Sequence, residues 1–159
     1  MSALEPVHVD ATFRIYGARN IQVNLWADAP TVEQMRAFGR FGTAHARRHP
    51  RGAALLNLIT SGTPSFSEEV RDETVRLMKL RDMFRLGAAH VVLLDGFKGT
   101  AVRAFISTVM LLARPPVANK VFGDAESAAA WMLPMLAPGA EAWTALEIVS
   151  LVKQATARS

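Results

Sequence analysis

Two nearly uninterrupted apolar runs constrain the fold of this chain most strongly. Residues 53–59 are apolar except for Asn57, and residues 88–94 form a second run that reads as a buried strand. A strand that is apolar on both sides is covered on both faces, as the central strands of a parallel sheet are. Each run is followed by a loop and a helix-length segment, so the chain is expected to fold as an α/β domain.

A hairpin is predicted before the first of these strands. Residues 12–16 and 21–26 alternate polar and apolar side chains, which is typical of half-buried strands. Gln22 and Asn24 fall on the same side of the second strand. One face of this end of the sheet is therefore expected to be polar.

The next helix is marked by a capping box and by two glycines. Thr31 and Gln34 have the spacing at which each side chain bonds the other residue's backbone amide. Gly39 and Gly42 lie on the apolar stripe of this helix, although an interior glycine costs a helix about 1 kcal/mol relative to alanine. They indicate close packing against a neighbouring element, with close approach to a ligand as the alternative.

Two more helices are predicted around the second buried strand. Ser65 and Glu68 form another capping box, which opens a charged helix to about residue 86. The most apolar helix is predicted at about 100–114, and its 104–113 segment is expected to be buried in the core.

The last part of the chain is predicted to hold one short strand and two helices. The strand spans 119–122, and Asp124 caps a helix that breaks near Pro134. A final helix ends near residue 156.

These elements follow the order β-β-α-β-α-β-α-β-α, with an extra C-terminal helix. The order predicts an α/β fold with a mixed, mostly parallel sheet of about five strands. No linker divides the 159 residues, so residues 1–159 are expected to form one domain. Its core would span about 11–136 and its C-terminal helix about 140–156.

Composition and motifs narrow the function classes. The chain has no cysteine, which excludes disulfides and thiolate chemistry. Of its four histidines only His45 and His49 have the i, i+4 spacing of a helical metal site, and His49 precedes a proline that ends the helix, so no metal is expected. It contains no hydrolase elbow, dinucleotide fingerprint or P-loop, so no cofactor is expected. The net charge of +4 is typical of a soluble protein, and no nucleic acid is expected as a partner. We expect no membrane span and a cytoplasmic location.

Four local segments carry a resemblance to a known family. They are residues 93–97 (LLDGF), 101–104 (AVRA), 120–122 (KVF) and 124–133 (DAESAAAWML). Together with the element order, they resemble the STAS family of sulfate transporters and anti-sigma-factor antagonists. The nearer resemblance is to its sporulation-protein-AA-like branch, which is itself similar to the lipid-binding Sec14/CRAL-TRIO fold. The resemblance implies a non-enzymatic regulatory or interaction domain that binds an apolar or lipid-like small molecule.

The resemblance also implies a candidate phosphorylation site. Anti-sigma-factor antagonists carry Asp-Ser-Ser-Gly after the third strand, where this chain has ITSG at 59–62. Thr60 and Ser61 are therefore candidate phosphoacceptors. Ile59 stands where the family has its acidic residue, which favours a plain polar loop.

A glycine-rich segment before the apolar helix is a candidate anion site. Exposed backbone amides at a helix N-terminus and nearby cations both favour bound anions. The candidate residues are Gly96, Lys98, Gly99, Thr100 and Arg103. The alternative is an ordinary turn, and a further alternative is a small enzyme with its site around Asp95, Lys98 and Arg103 at the end of a central strand.

The C-terminal helix predicts a homodimer. Its apolar residues spread around much of its circumference, and a helix that is apolar on all sides is normally buried on all sides. The expected contact residues are Leu146, Ile148, Val149, Leu151 and Val152.

Overall fold

A computed structural model describes residues 2–62 and 66–158 of the chain. Within these ranges it contains six strands and five helices. The strands are β1 (Glu5–Val9), β2 (Phe13–Ala18), β3 (Ile21–Trp26), β4 (Ala54–Ile59), β5 (Gly87–Val92) and β6 (Asn119–Phe122). The helices are α1 (Val32–Arg48), α2 (Glu68–Met78), α3 (Gly96–Ala113), α4 (Ala125–Leu136) and α5 (Ala145–Ala157).

The six strands form one mixed sheet in which spatial order follows chain order. β1, β2 and β3 pair antiparallel, and β3 to β6 pair parallel. The α/β class and the mixed, mostly parallel sheet are confirmed. The strand count is six rather than about five because β1 was missed. It is an edge strand that contains Pro6, and its pairing with β2 shifts register between Pro6 and His8.

Helices cover both faces of the sheet. Alternate residues of β4 point to opposite layers: Leu55 packs with α1 and α2, whereas Leu56 packs with α4 and α5. The three crossovers that connect β3 to β6 place α1, α2 and α3 on one side, as right-handed connections between neighbouring parallel strands require. α4 and α5 then fold back over the other side.

Helix α1 approaches its neighbours through its glycines. A Cβ atom on Gly39 would lie 2.8 Å from Cδ2 of Leu77, and one on Gly42 would lie 2.6 Å from Sδ of Met83. Close packing is therefore sufficient to explain both residues, and the partners are α2 and the segment after it. The predicted capping box is also present, because Gln34 N donates to Oγ1 of Thr31 at 3.1 Å.

The ends of three helices differ from the predictions. α2 is capped by Ser67, whose Oγ accepts from Val70 N, while the predicted cap Ser65 lies outside the described residues. α2 ends at Met78 rather than near 86, although the apolar period continues to a buried Phe84. α4 continues through Pro134 to Leu136, because proline removes a single donor and the buried Met132 and Leu136 hold the last turn.

Helix α3 is not the buried core helix that its composition predicts. It begins at Gly96, four residues earlier than expected, and it packs through one stripe that includes Val102, Ile106 and Val109. Phe97 and Leu111 on its other side are 82% and 77% exposed. Of the helices in the described ranges, α3 alone has the length and apolar character to cross a membrane, and 28% of it is buried.

Helix α5 uses its apolar residues inside its own chain. Ile148, Leu151 and Val152 are buried against the sheet and α4, so they cannot form the expected dimer surface. The error arose because β3 and α4 enclose more of α5 than its position in the sequence suggests. Leu146 is 76% exposed and Val149 is partly buried. The homodimer itself stays a prediction.

Candidate ligand chamber

A largely apolar chamber lies between the sheet and helices α1 to α3. Its cavity volume is about 120 Å³. Leu55 and Ala88 contribute to its floor on the sheet, and Phe38, Leu77 and Phe105 contribute to its walls on the three helices. The space exists because α1 is drawn toward Leu77 and Met83 by its glycines, while α3 contacts the sheet mainly near its edge, at β5 and β6.

A ladder of polar side chains crosses the floor of this chamber. Trp26 Nε1 donates to Oδ1 of Asn57 at 2.8 Å, and Nδ2 of Asn57 lies 3.1 Å from Nδ1 of His90. Nε2 of His90 lies 2.9 Å from Oδ1 of Asn119. The ladder therefore joins β3, β4, β5 and β6 in a single chain of hydrogen bonds.

The direction of every bond in the ladder follows from the indole. Trp26 Nε1 is a donor only, so Oδ1 of Asn57 accepts and Nδ2 of Asn57 donates to His90. Nδ1 of His90 must then be the acceptor, and its proton resides on Nε2 and is donated to Asn119. Nδ2 of Asn119 donates to the carbonyl of Val117.

The floor is electrically neutral. Burial lowers the pKa of His90 below its usual 6.5, and this outweighs the hydrogen bond with Asn119, which raises it. A neutral imidazole and two amides give the chamber polar groups without charge. Most small-molecule sites combine apolar walls with a few fixed polar groups in this way.

A second polar pair lies along β3, on the same sheet face as Trp26. Nε2 of Gln22 donates to Oδ1 of Asn24 at 3.0 Å, and Nδ2 of Asn24 is buried without a partner among the described residues. The sequence pattern predicted a polar face here, and the side chains are indeed polar. They are fully buried, however, because they lie on the sheet face that carries α1.

The residues predicted as an anion site are held by the protein itself. Arg103 donates through Nη2 to the carbonyls of Val92 and Leu94, and the hydroxyl of Thr100 donates to the carbonyl of Gly96. A Cβ on Gly99 would collide with the carbonyl oxygen of Leu94, so this glycine serves close packing.

The remaining predicted residues of this segment lie in the first turn of α3 or just before it. Gly96 has φ +65° and opens the helix, and Lys98 is exposed. Asp95 is the N-cap residue, it is exposed, and its side chain makes no capping bond. Among the described residues, Asp95, Lys98 and Arg103 form no ion pair with one another, and a site at this position stays a prediction.

Thr60 and Ser61 join two loops at the carboxyl end of the sheet. Oγ1 of Thr60 donates to the carbonyl of Trp26, and Oγ of Ser61 donates to the carbonyl of Ala27. Gly62, with φ +131°, lets this loop approach the backbone of Asp28 closely. Both hydroxyls thus hold the β4 loop against the β3 loop.

In residues 2–62 and 66–158 no three His, Cys, Asp or Glu side chains come together as a metal site. The rings of His45 and His49 are 4.6 Å apart between centroids. Burial and the neighbouring His49 lower the pKa of His45 from 6.5 to about 4, so its imidazole is neutral near pH 7.

His90 and Asn119 are site residues that the sequence pattern did not predict, and Asn57 stood out in the sequence only as the interruption of an apolar run. The available signal was a polar residue inside a strand covered on both faces, which needs a buried partner. The register that pairs Asn57 with His90 becomes visible only in the sheet.

No protein-family model, no curated protein and no solved structure shows a significant match to this chain.

Proposed function

We propose that this chain is a non-enzymatic binding domain whose chamber holds an apolar small molecule and which acts through regulation or interaction. The observation that carries the proposal is the chamber itself: apolar walls over a neutral, fully hydrogen-bonded floor. His90 is buried, and both of its ring nitrogens are engaged with amide side chains. The ladder thus lines the chamber with polar groups that are bonded to one another and do not act as an acid or base near pH 7.

The size of the chamber sets the class of ligand. An apolar cavity of about 150 Å³ in another protein stays dry and binds benzene. The volume of about 120 Å³ here fits one short aliphatic chain or one small ring. A ligand with two long chains does not fit this volume.

A chamber-filling substitution tests the proposal. Ala88 lies on the chamber floor, so Ala88→Leu should fill space that the ligand needs. Ala104→Leu is the matched control, because Ala104 is exposed on α3. At ten times its Kd, a ligand such as 1-octanol should stabilise the parent by about 1.4 kcal/mol, or raise Tm by about 3–6 °C.

The expected result is that Ala104→Leu keeps this rise in Tm and Ala88→Leu loses it. An equal rise in all three proteins would place the ligand elsewhere. No rise in the parent at any concentration would refute the binding function.

Membership of the STAS family, a cytoplasmic location and the homodimer remain hypotheses from the sequence. The phospho-switch at Thr60 and Ser61 is the alternative regulatory mechanism. Stoichiometric phosphorylation of either hydroxyl by a partner kinase, detected by mass spectrometry of the intact protein, would favour it over ligand binding alone.

A further inference from the structure

A second, basic pocket lies where α1 ends and the segment after α2 begins. Its cavity volume is about 500 Å³. Arg47, His49, Arg81 and Arg85 line it, and Asp82 is the one acidic residue in its lining. Burial lowers the pKa of His49, so near pH 7 the three arginines and Asp82 leave the pocket lining with a net charge of +2, on a chain whose total net charge is +4.

The arginines of this pocket are not neutralised by the protein. Arg47, Arg81 and Arg85 form no ion pair with any described residue, whereas Arg36, Arg71 and Arg76 each pair with a glutamate. Arg85 is held in place because its Nη2 donates to the carbonyl of Pro50 at 2.7 Å. Guanidinium groups left without carboxylates in a concave site favour an anionic ligand.

The basic pocket and the apolar chamber share a wall. Leu80 and Met83 line both cavities. Met83 reaches this position because Gly42 leaves room for its sulfur, which a Cβ atom would meet at 2.6 Å. A wall of flexible side chains, of which Leu80 is 39% exposed, separates an apolar space from a cationic one.

From this juxtaposition we propose that the ligand is a single-chain anionic amphiphile. Its chain occupies the chamber, passes between Leu80 and Met83, and its carboxylate meets the arginines of the basic pocket. This inference rests on the proposed function, because it assigns the chamber's occupant. The chamber volume of about 120 Å³ excludes a two-chain lipid, and the unpaired guanidinium groups select a charged head over an alcohol.

The test compares decanoate with 1-decanol by isothermal titration calorimetry on the full chain. The parent should bind decanoate about tenfold more tightly than decanol at low salt, and added salt should reduce this preference. From hexanoate to decanoate, affinity should rise about fourfold for each methylene that enters the chamber. Acetate alone should neither bind measurably nor compete.

Charge-neutralising variants locate the head group. The double variant Arg47→Gln with Arg81→Gln should lose the tenfold preference and keep decanol binding. Arg36→Gln with Arg71→Gln is the control, since it removes the same charge from arginines that do not line the pocket and should keep the preference. Ala88→Leu should flatten the chain-length dependence.

The outcomes separate the two proposals. Two results would contradict the proposal of an anionic amphiphile while leaving an apolar ligand in the chamber. One is equal Kd values for decanoate and decanol, and the other is an equal loss of the decanoate preference in both double variants. Acetate binding as tightly as decanoate would also overturn it. If neither decanoate nor decanol binds the parent, the proposed function fails and this inference fails with it.

Discussion

The buried histidine of α1 gives the protein a specific dependence of stability on pH. His45 is 5% exposed, and its Nε2 has no hydrogen-bond partner among the described residues. Burial, followed by the charge of His49, lowers its pKa from 6.5 to about 4. In the unfolded chain the same imidazole takes up a proton near pH 6.5.

The sign follows from where the proton binds. Between about pH 6.5 and pH 4 the unfolded state holds the proton on His45 and the folded state does not. The free energy of unfolding therefore falls as pH falls through this window, and it is unaffected by His45 above it. Each pKa unit corresponds to about 1.4 kcal/mol, so His45 alone should cost about 3 kcal/mol between pH 7 and pH 4. His90, whose pKa burial also lowers, adds to the same slope.

Urea unfolding followed by tryptophan fluorescence at pH 7.5, 6.0, 5.0 and 4.5 measures this slope. His45→Gln should reduce it by about one proton between pH 6 and 4.5, whatever its stability at pH 7.5. Phe38→Leu, a buried change on the same helix without a titrating group, should shift stability equally at every pH. An unchanged slope in His45→Gln would refute the reasoning that His45 is neutral in the folded state.

Three further predictions follow from the packing. Gly99→Ala should destabilise the fold by about 2 kcal/mol or more in urea unfolding, because the new methyl group meets the backbone carbonyl of Leu94 rather than a movable side chain. Leu151→Asp should abolish folding, as judged by circular dichroism, because Leu151 is fully buried in its own chain. If the parent is a dimer and Leu151→Asp is a folded monomer, the predicted dimer interface at α5 is correct after all. Lys98→Ala should leave the effect of phosphate on Tm unchanged, since Thr100 and Arg103 are bonded within the fold. If phosphate raises the Tm of the parent but not of Lys98→Ala, the segment before α3 does bind anions.

The α/β class and the mixed, mostly parallel sheet could be predicted because burial leaves a direct trace in the sequence. A strand covered on both faces must be apolar throughout, as β4 is apart from Asn57. The predicted hairpin of β2 and β3 is present, but β3 is buried at all six positions instead of being half-buried. The glycines of α1 also indicated close packing correctly, since a Cβ on Gly39 would lie only 2.8 Å from Cδ2 of Leu77.

The candidate site could not be predicted because it depends on distances between elements. The chamber is the space left where α1, α2 and α3 meet the sheet. Its size depends on how these elements pack together, which the sequence of one segment does not determine. Apolar periodicity also reports burial rather than backbone conformation, so Phe84 extended the predicted helix although the chain turns after Met78. This turn places Leu80 and Met83 in the wall between the two pockets.

The central claim is that an apolar molecule occupies the chamber above the polar ladder. The side-chain amides of Asn57 and Asn119 bracket His90 on the chamber floor, so their NMR signals report occupancy directly. Titration with 1-octanol should shift both amide signals with a common Kd. The signals of residues around the exposed Phe97 should stay unchanged. Saturable octanol binding that leaves the amides of Asn57 and Asn119 unmoved, or that shifts only residues around Phe97, would contradict the account.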